Sequence, residues 1–225
     1  MLRRLVFPLL LGLAGAGVLV ALGLWQVQRL AWKEAILADI TARIEAEPVA
    51  LPAVPDPAAD RYLPVAVAGR FAGRDIRVLV SRKGDGAGYR VVAAYETEDG
   101  RRILIDRGFL PEAAKTAPPA SGAAKVAGNL HWPDEVDGYT PPPDARSGIW
   151  FARDLPAMAA ALGTEPVLVV AKAVEPADPA LDPMPLDTSG IPNDHLGYAV
   201  TWFGLAAVWL GMTAFLVWRI ARRTG

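Results

Sequence analysis

Hydrophobic and polar positions are segregated unevenly along the chain. Leu5–Leu24 carries no charge over 20 residues, and Leu196–Trp218 carries none over 23. Each run matches the ~20 apolar residues that a helix needs to cross a hydrocarbon core of ~30 Å. The first could instead be a cleavable leader, with Arg3 and Arg4 as its basic start and Ala14-Gly15-Ala16 as a cleavage site. The apolar run continues through "VLVALGLW" beyond that point, so a retained anchor is the reading adopted. Beyond it, "RLAWKEAILADITARIEAE" (Arg29–Glu47) keeps a helical period, with Leu30, Leu37, Ile40 and Ile44 on one face. Pro48, Pro52, Pro55 and Pro57 close that helix and open a linker.

Between the runs the period changes from helical to two. "YLPVAVAG", "DIRVLVSR" and "YRVVAAYETEDGRRILIDRGFLP" are β-branched and aromatic segments broken by glycine, and they predict strands within Arg61–Pro111. Glu98-Asp99-Gly100 predicts a hairpin turn, because Asp-Gly accepts positive φ. Ala124–Trp132 and Pro166–Ala173 are further strands. "RDLPAMAAALG" (Arg153–Gly163) predicts a short helix with Asp154 as N-cap and Gly163 just past its end. Pro176–Pro192 reads as a second proline-rich linker. The fold class expected is α+β: a two-helix transmembrane hairpin flanking one extracytoplasmic, mostly antiparallel β domain with short helices. The expected division is an N-terminal transmembrane helix over 1–25 and the β domain over 26–195. A C-terminal transmembrane helix over 196–218 and a basic cytoplasmic tail over 219–225 complete it.

Charge places the ends. Arg3 and Arg4 precede the first run and Arg219, Arg222 and Arg223 follow the second, whereas Asp182, Asp187 and Asp194 lie before the second. The positive-inside rule then sets both termini in the cytoplasm and the main domain outside, which is periplasmic in a bacterial inner membrane. The lack of a long Arg/Ser-rich presequence favours a bacterial over a mitochondrial protein. A net charge of −1 with no basic run argues against nucleic acid, and leaves membrane lipid as the evident partner. The chain has no cysteine, so thiolate metal sites, disulfides and cysteine nucleophiles are excluded.

Motifs for catalysis are weak. "KGDGAGYR" (Lys83–Arg90) has spaced glycines but neither a following helix nor a P-loop Lys-Ser/Thr, and reads as a hairpin connection. His131 lies beside Trp132 with no Gly-x-Ser-x-Gly in the chain, so a structural or surface histidine is expected. Asp106 and Arg107 read as a turn with a surface ion pair, or else as a basic contact for an acidic group on a ligand or partner. No convergent site argues for an enzyme.

The second apolar run carries the more specific signal. On a helical wheel Tyr198, Trp202, Ala206, Trp209, Met212 and Thr213 are placed on the side of His195, and Gly197, Gly204, Ala207, Gly211 and Ala214 opposite. Small residues allow close helix approach in lipid, and Gly12-x-x-x-Ala16 and Gly17-x-x-x-Ala21 offer matching steps in the first run. The glycine face is therefore expected against the first helix, leaving the aromatic face headed by His195 free for lipid or a ligand. A neutral imidazole at the polar rim of an aromatic, water-poor groove suits haem iron; it also suits an ordinary interfacial belt.

Three blocks resemble the SURF1/Shy1 family of haem–copper oxidase assembly factors. "LGLWQVQRLAWKEAIL" (Leu22–Leu37) is similar to the family's Gly-x-Trp-Gln-x-x-Arg-x-x-Trp-Lys signature. "GYRVVAAYETEDGRRILIDRGFLP" and "GIWFARDLPAMAAALG" resemble its Arg-Gly-aromatic and Arg-Asp-Leu blocks, and "NDHLGYAVTWFGLA" (Asn193–Ala206) its His-Leu-x-Tyr-Ala-x-Thr-Trp-Phe stretch. The resemblance implies a non-enzymatic chaperone of respiratory-chain assembly that binds haem a transiently and helps insert it into terminal oxidase subunit I. It implies His195 as axial ligand of the haem iron, with Tyr198 and Trp202 against the macrocycle, and haem A synthase as a further partner. The alternative is a membrane scaffold that steadies an oxidase intermediate without holding haem.

Overall fold

Nothing in the sequence stops the N-terminal helix where its apolar run ends, since strong helix formers and the Leu30/Leu37/Ile44 spacing carry it on. In the computed structural model, which describes residues 2–223, α1 is one helix over Leu2–Ile44, about 64 Å long at 1.5 Å per residue. The side chains of residues 2–4 and 223, hence the Arg3, Arg4 and Arg223 part of the orientation reading, lie outside the described residues. The second terminal helix, α3, spans His195–Arg223. Both are long and apolar enough to cross a membrane, and they flank the β domain as expected. The chain divides into two compact units, one holding most of α1 with α3, the other Ile40–Asp187.

Within the helical unit the expected contact face is reversed on α3. Gly197, Gly204 and Gly211 have open space where a Cβ would stand, and so has Gly17 on α1. The stripe turned toward α1 is instead the one headed by His195, with Ala199 and Ala206 buried on it. A Cβ on Gly12 would stand 2.2 Å from Thr213 Cγ2, and one on Gly23 would stand 2.7 Å from the Phe203 ring. Large side chains of α3 thus fill the places that glycine leaves empty on α1. Hydrogen bonding favours the same side: the Trp209 indole N–H donates to the Gly12 carbonyl at 2.9 Å. In hydrocarbon that N–H has no water to turn to, so a face that supplies an acceptor is preferred over one that supplies only small residues.

The β unit is built on seven strands: β1 (Val49–Ala50), β2 (Pro64–Arg82), β3 (Gly86–Thr97), β4 (Arg102–Pro111), β5 (Ser121–His131), β6 (Ile149–Trp150) and β7 (Leu168–Glu175). Pairing runs β2–β3–β4–β7–β5 and returns from β5 to β2, so these five close into a barrel. Only β4–β7 is parallel around that ring, and β1 and β6 add short parallel pairs to β2. "YLPVAVAG" and "DIRVLVSR", read as separate strands, belong to the single strand β2. It bends through an irregularity between Phe71 and Asp75, where Gly73 takes φ 71°. The N-terminal half of β2 pairs with β5 and the C-terminal half with β3, which is how one strand closes the ring.

Period two persists on both faces of the sheet. Ile103 and Ile105 of β4 and Val169 and Ala171 of β7 face one core with Phe71, Tyr95 and Val126. Leu104, Leu168 and Val170 face the other, under α2 (Leu155–Leu162). Helix α2 has the caps its sequence advertises: Asp154 accepts from the Ala157 N–H at 3.1 Å, and Gly163 is left-handed at φ 68°. The turn at Glu98-Asp99-Gly100 and the connection at Lys83–Asp85 are hairpin turns as expected, with Gly100 at φ 84° and Gly84 at φ 97°. Part of the second proline-rich stretch is more than a linker. Asp182 exchanges backbone hydrogen bonds with Phe109 at 2.7 and 3.0 Å and so extends the edge of β4.

Candidate functional site

His195 opens α3 and is half-buried. Its Nδ1 lies 2.7 Å from Oε1 of Gln26 on α1, a side chain only 8% exposed. With the Gln26 amide oxygen as the acceptor, Nδ1 carries the proton and Nε2 keeps its lone pair. Metal-binding histidines are generally held in that way, with the second nitrogen donating to a fixed acceptor. Trp202 follows two turns later on the same stripe, about 10 Å along the axis, and is also half-buried. Tyr198 is turned outward and is 57% exposed. The three residues singled out in the sequence therefore separate into two on the helix–helix face and one beside it.

A haem iron takes an imidazole nitrogen, and His195 is the one histidine on the two terminal helices. The residues present fit that group through this donor. Trp209, expected on the face left free for lipid or a ligand, instead turns toward α1 at Gly12 and Gly15. The apolar groove of this unit lies at the other end, lined by Pro8, Leu11, Trp209, Met212, Phe215 and Arg219, with a volume of about 380 Å³.

The β unit holds a second cluster that the sequence concealed. Asp106 is fully buried and takes Nε of Arg90 at 2.5 Å and Nη1 of Arg153 at 3.0 Å. Arg153 also grips Glu135, its Nε donating to Oε1 at 3.0 Å, and Arg90 donates to the Met184 carbonyl at 2.8 Å. The surface ion pair expected of Asp106 and Arg107 is thus corrected: neither is at the surface, and they do not pair with each other. Arg107 is 6% exposed, pairs with Asp178 at 3.0 Å and lies over the Phe71 ring at 4.9 Å. Alternation explains the split, since adjacent residues of β4 point to opposite sides of the sheet. Sequence reading missed Arg90, Glu135 and Arg153 because their meeting depends on strand pairing across 16 to 47 residues.

His131 ends β5 near this cluster, its ring stacked on Tyr62 with centroids 6.1 Å apart. Burial, reinforced by the positive charges of Arg153 and Arg61, pushes its pKa down from 6.5 to about 4. Its Nδ1 is buried without a hydrogen-bond partner among the described residues. The fold therefore holds the neutral ring. Its contribution is complete above about pH 6.5 and is lost as pH falls toward about 4, where the unfolded chain binds the extra proton. With solvent screening of a partly exposed ring, the loss is on the order of 1–2 kcal/mol. Thermal unfolding of the full chain in detergent is expected to show this decline between those pH values, and the His131→Asn variant to show less of it. An unchanged pH profile in that variant would exclude His131 as its source.

Comparison with known proteins identifies relatives of the chain. Residues 13–207 match the model of the SURF1 family. The chain is 32% identical over 206 residues to human Surfeit locus protein 1, covering 80% of this chain and 67% of that protein. It is 31% identical over 174 residues to the rat protein of the same name, covering 66% of this chain and 56% of the relative. A SURF1-like protein of Monosiga brevicollis is 31% identical over 206 residues, covering 82% and 77%. The matched chain thus spans little more than half of the rat protein and about two thirds of the human one. With the family model covering most of the chain, from within α1 through the whole β unit into the first part of α3, the chain belongs to the SURF1 family.

Proposed function

We propose that this protein is a membrane-bound, non-enzymatic assembly factor for a haem–copper terminal oxidase, which holds haem a through His195 and passes it to oxidase subunit I. The observation that carries the reading is the Gln26–His195 pair, which would leave Nε2 as a metal-binding lone pair at the start of a run that carries no charge from Leu196 to Trp218. Bound there, haem a would be held through its iron by the His195 imidazole and would supply redox chemistry only once passed to the oxidase. The chain would supply the rest. His195 provides the single nitrogen, Trp202 offers an indole two turns deeper, and Tyr198 offers an exposed ring at the flank. One protein ligand suits a carrier, since cargo held by few bonds is released readily. Basic residues at the ends of the two helices would set both termini in the cytoplasm of a bacterial cell, with the β unit outside. Haem A synthase would then be the donor and subunit I the acceptor.

A second reading has its own observation. His195 and Gln26 also tie α1 to α3, as Trp209 and Gly12 do, so the histidine could serve only to lock the hairpin of a scaffold that binds no haem. Cells whose only copy is His195→Ala distinguish the two. Membranes of such cells are expected to contain normal amounts of this protein, and oxidase subunit I that is poor in haem a by its reduced-minus-oxidised spectrum. Normal haem a in subunit I would exclude the carrier reading and leave the scaffold.

A further inference from the structure

The family reading concerns what His195 could bind; the structure adds what prepares it. Gln26 is buried on α1, where an amide has little water to satisfy it and leaving its carbonyl oxygen without a donor would be costly. The oxygen meets Nδ1 of His195 at 2.7 Å, at the short end of the hydrogen-bond range. Close approach of the two helices makes the short reach possible. Gly23 lies one turn before Gln26 with the Phe203 ring against it, and Ala199, one turn after His195, is 2% exposed. The imidazole side chain free in water prefers its proton on Nε2, the tautomer that blocks the more accessible nitrogen. A fixed acceptor on Nδ1 reverses that preference.

We propose that Gln26 is a positioning residue that holds His195 as the Nδ1–H tautomer and so keeps the Nε2 lone pair ready for a metal centre. The tautomer stands on the hydrogen bond alone; its use for iron rests on the haem reading given above. Gln26 touches neither iron nor macrocycle in this account, and acts only through the imidazole. A carboxylate at this position would keep the acceptor, and an aliphatic side chain of similar size would remove it.

Histidine ¹⁵N shifts of the full, haem-free chain in detergent test this directly, at about pH 8 where an ordinary histidine is neutral. The chain has two histidines, so the His195→Ala variant assigns the signals. His195 is expected to show a protonated Nδ1 and a bare Nε2. Gln26→Leu is expected to move the proton to Nε2, and Gln26→Glu to keep it on Nδ1. A wild-type proton on Nε2, or a Gln26→Leu spectrum like wild type, would overturn the proposal. Titration with haem a is the second arm. Gln26→Leu is expected to weaken binding by about 10–100-fold, with rescue by Gln26→Glu. The Fe–Nε2 stretching frequency of the ferrous complex is expected to rise in the order Gln26→Leu, wild type, Gln26→Glu. Should the ¹⁵N result hold while no variant and no wild-type protein binds haem a, the tautomer assignment stands and the haem reading fails. Should haem bind equally to all three with one stretching frequency, Gln26 has no positioning role.

Discussion

Asp106→Ala is expected to cost the β unit about 3–5 kcal/mol, lowering its thermal unfolding midpoint by roughly 10 °C. The carboxylate is fully buried and receives two guanidinium groups, from Arg90 on β3 and from Arg153 just before α2. Truncation leaves both cations in a place with little water. Glu135 compensates Arg153 only in part, and Arg90 keeps just the Met184 carbonyl. The penalty comes from those stranded charges more than from the lost attraction, because a buried pair nearly balances its own desolvation. Asp106→Asn keeps the shape and one acceptor, and is expected to lose less. Denaturant or thermal unfolding of the three proteins, full length in detergent, measures the difference. A loss below about 1 kcal/mol for Asp106→Ala would mean that the network contributes no more than an exposed ion pair.

The second large effect concerns Gly108, two residues further along β4. Its φ is 104°, a region that L side chains rarely adopt, and a Cβ there would stand 2.3 Å from the Asp182 carbonyl oxygen and 2.7 Å from Pro183 Cα. The obstruction is backbone, so no rotamer change relieves it. Gly108→Ala is therefore expected to destabilise by about 2–4 kcal/mol, from strain and overpacking together. It is also expected to detach the Asp182 segment from Phe109, two hydrogen bonds away from the sheet's own ladder. Hydrogen exchange at the Phe109 and Asp182 amides reports that detachment separately from global unfolding. Protection at both amides equal to wild type would show that the segment shifts to make room.

These two residues also mark how far the sequence could be read. "RILIDRGFLP" is plainly a strand with a glycine in it, and period two places Ile103 and Ile105 on one face and Leu104 on the other, as the structure has them. Local chemistry was legible in the same way at Asp154, Gly163 and the Asp99-Gly100 turn, where one or two residues determine the backbone. Barrel closure was not, because it depends on β2 finding β5 some 57 residues away, through a bend that only Gly73 hints at. The partners of Asp106 were hidden for the same reason: charge is visible in a sequence, but burial and pairing are not.

The hairpin shows a different limit. A helical wheel defines two faces of α3. It contains no information on which face meets α1, and the rule that small residues meet small residues chose the wrong one. The structure resolves the choice through complementarity, with Thr213, Trp209 and Phe203 occupying the spaces at Gly12, Gly15 and Gly23. Gln26 stood in the quoted signature without a role, since nothing along the chain links it to a histidine 169 residues later.

The central claim is that His195 supplies a nitrogen to haem iron, and an equilibrium titration of the purified, haem-free, full-length protein with haem a in detergent tests it most directly. The account expects a saturable shift of the Soret band at one haem per chain for the wild type, and an affinity at least ~10-fold lower with an altered band for His195→Ala. Equal affinity and identical spectra for the two proteins would contradict it.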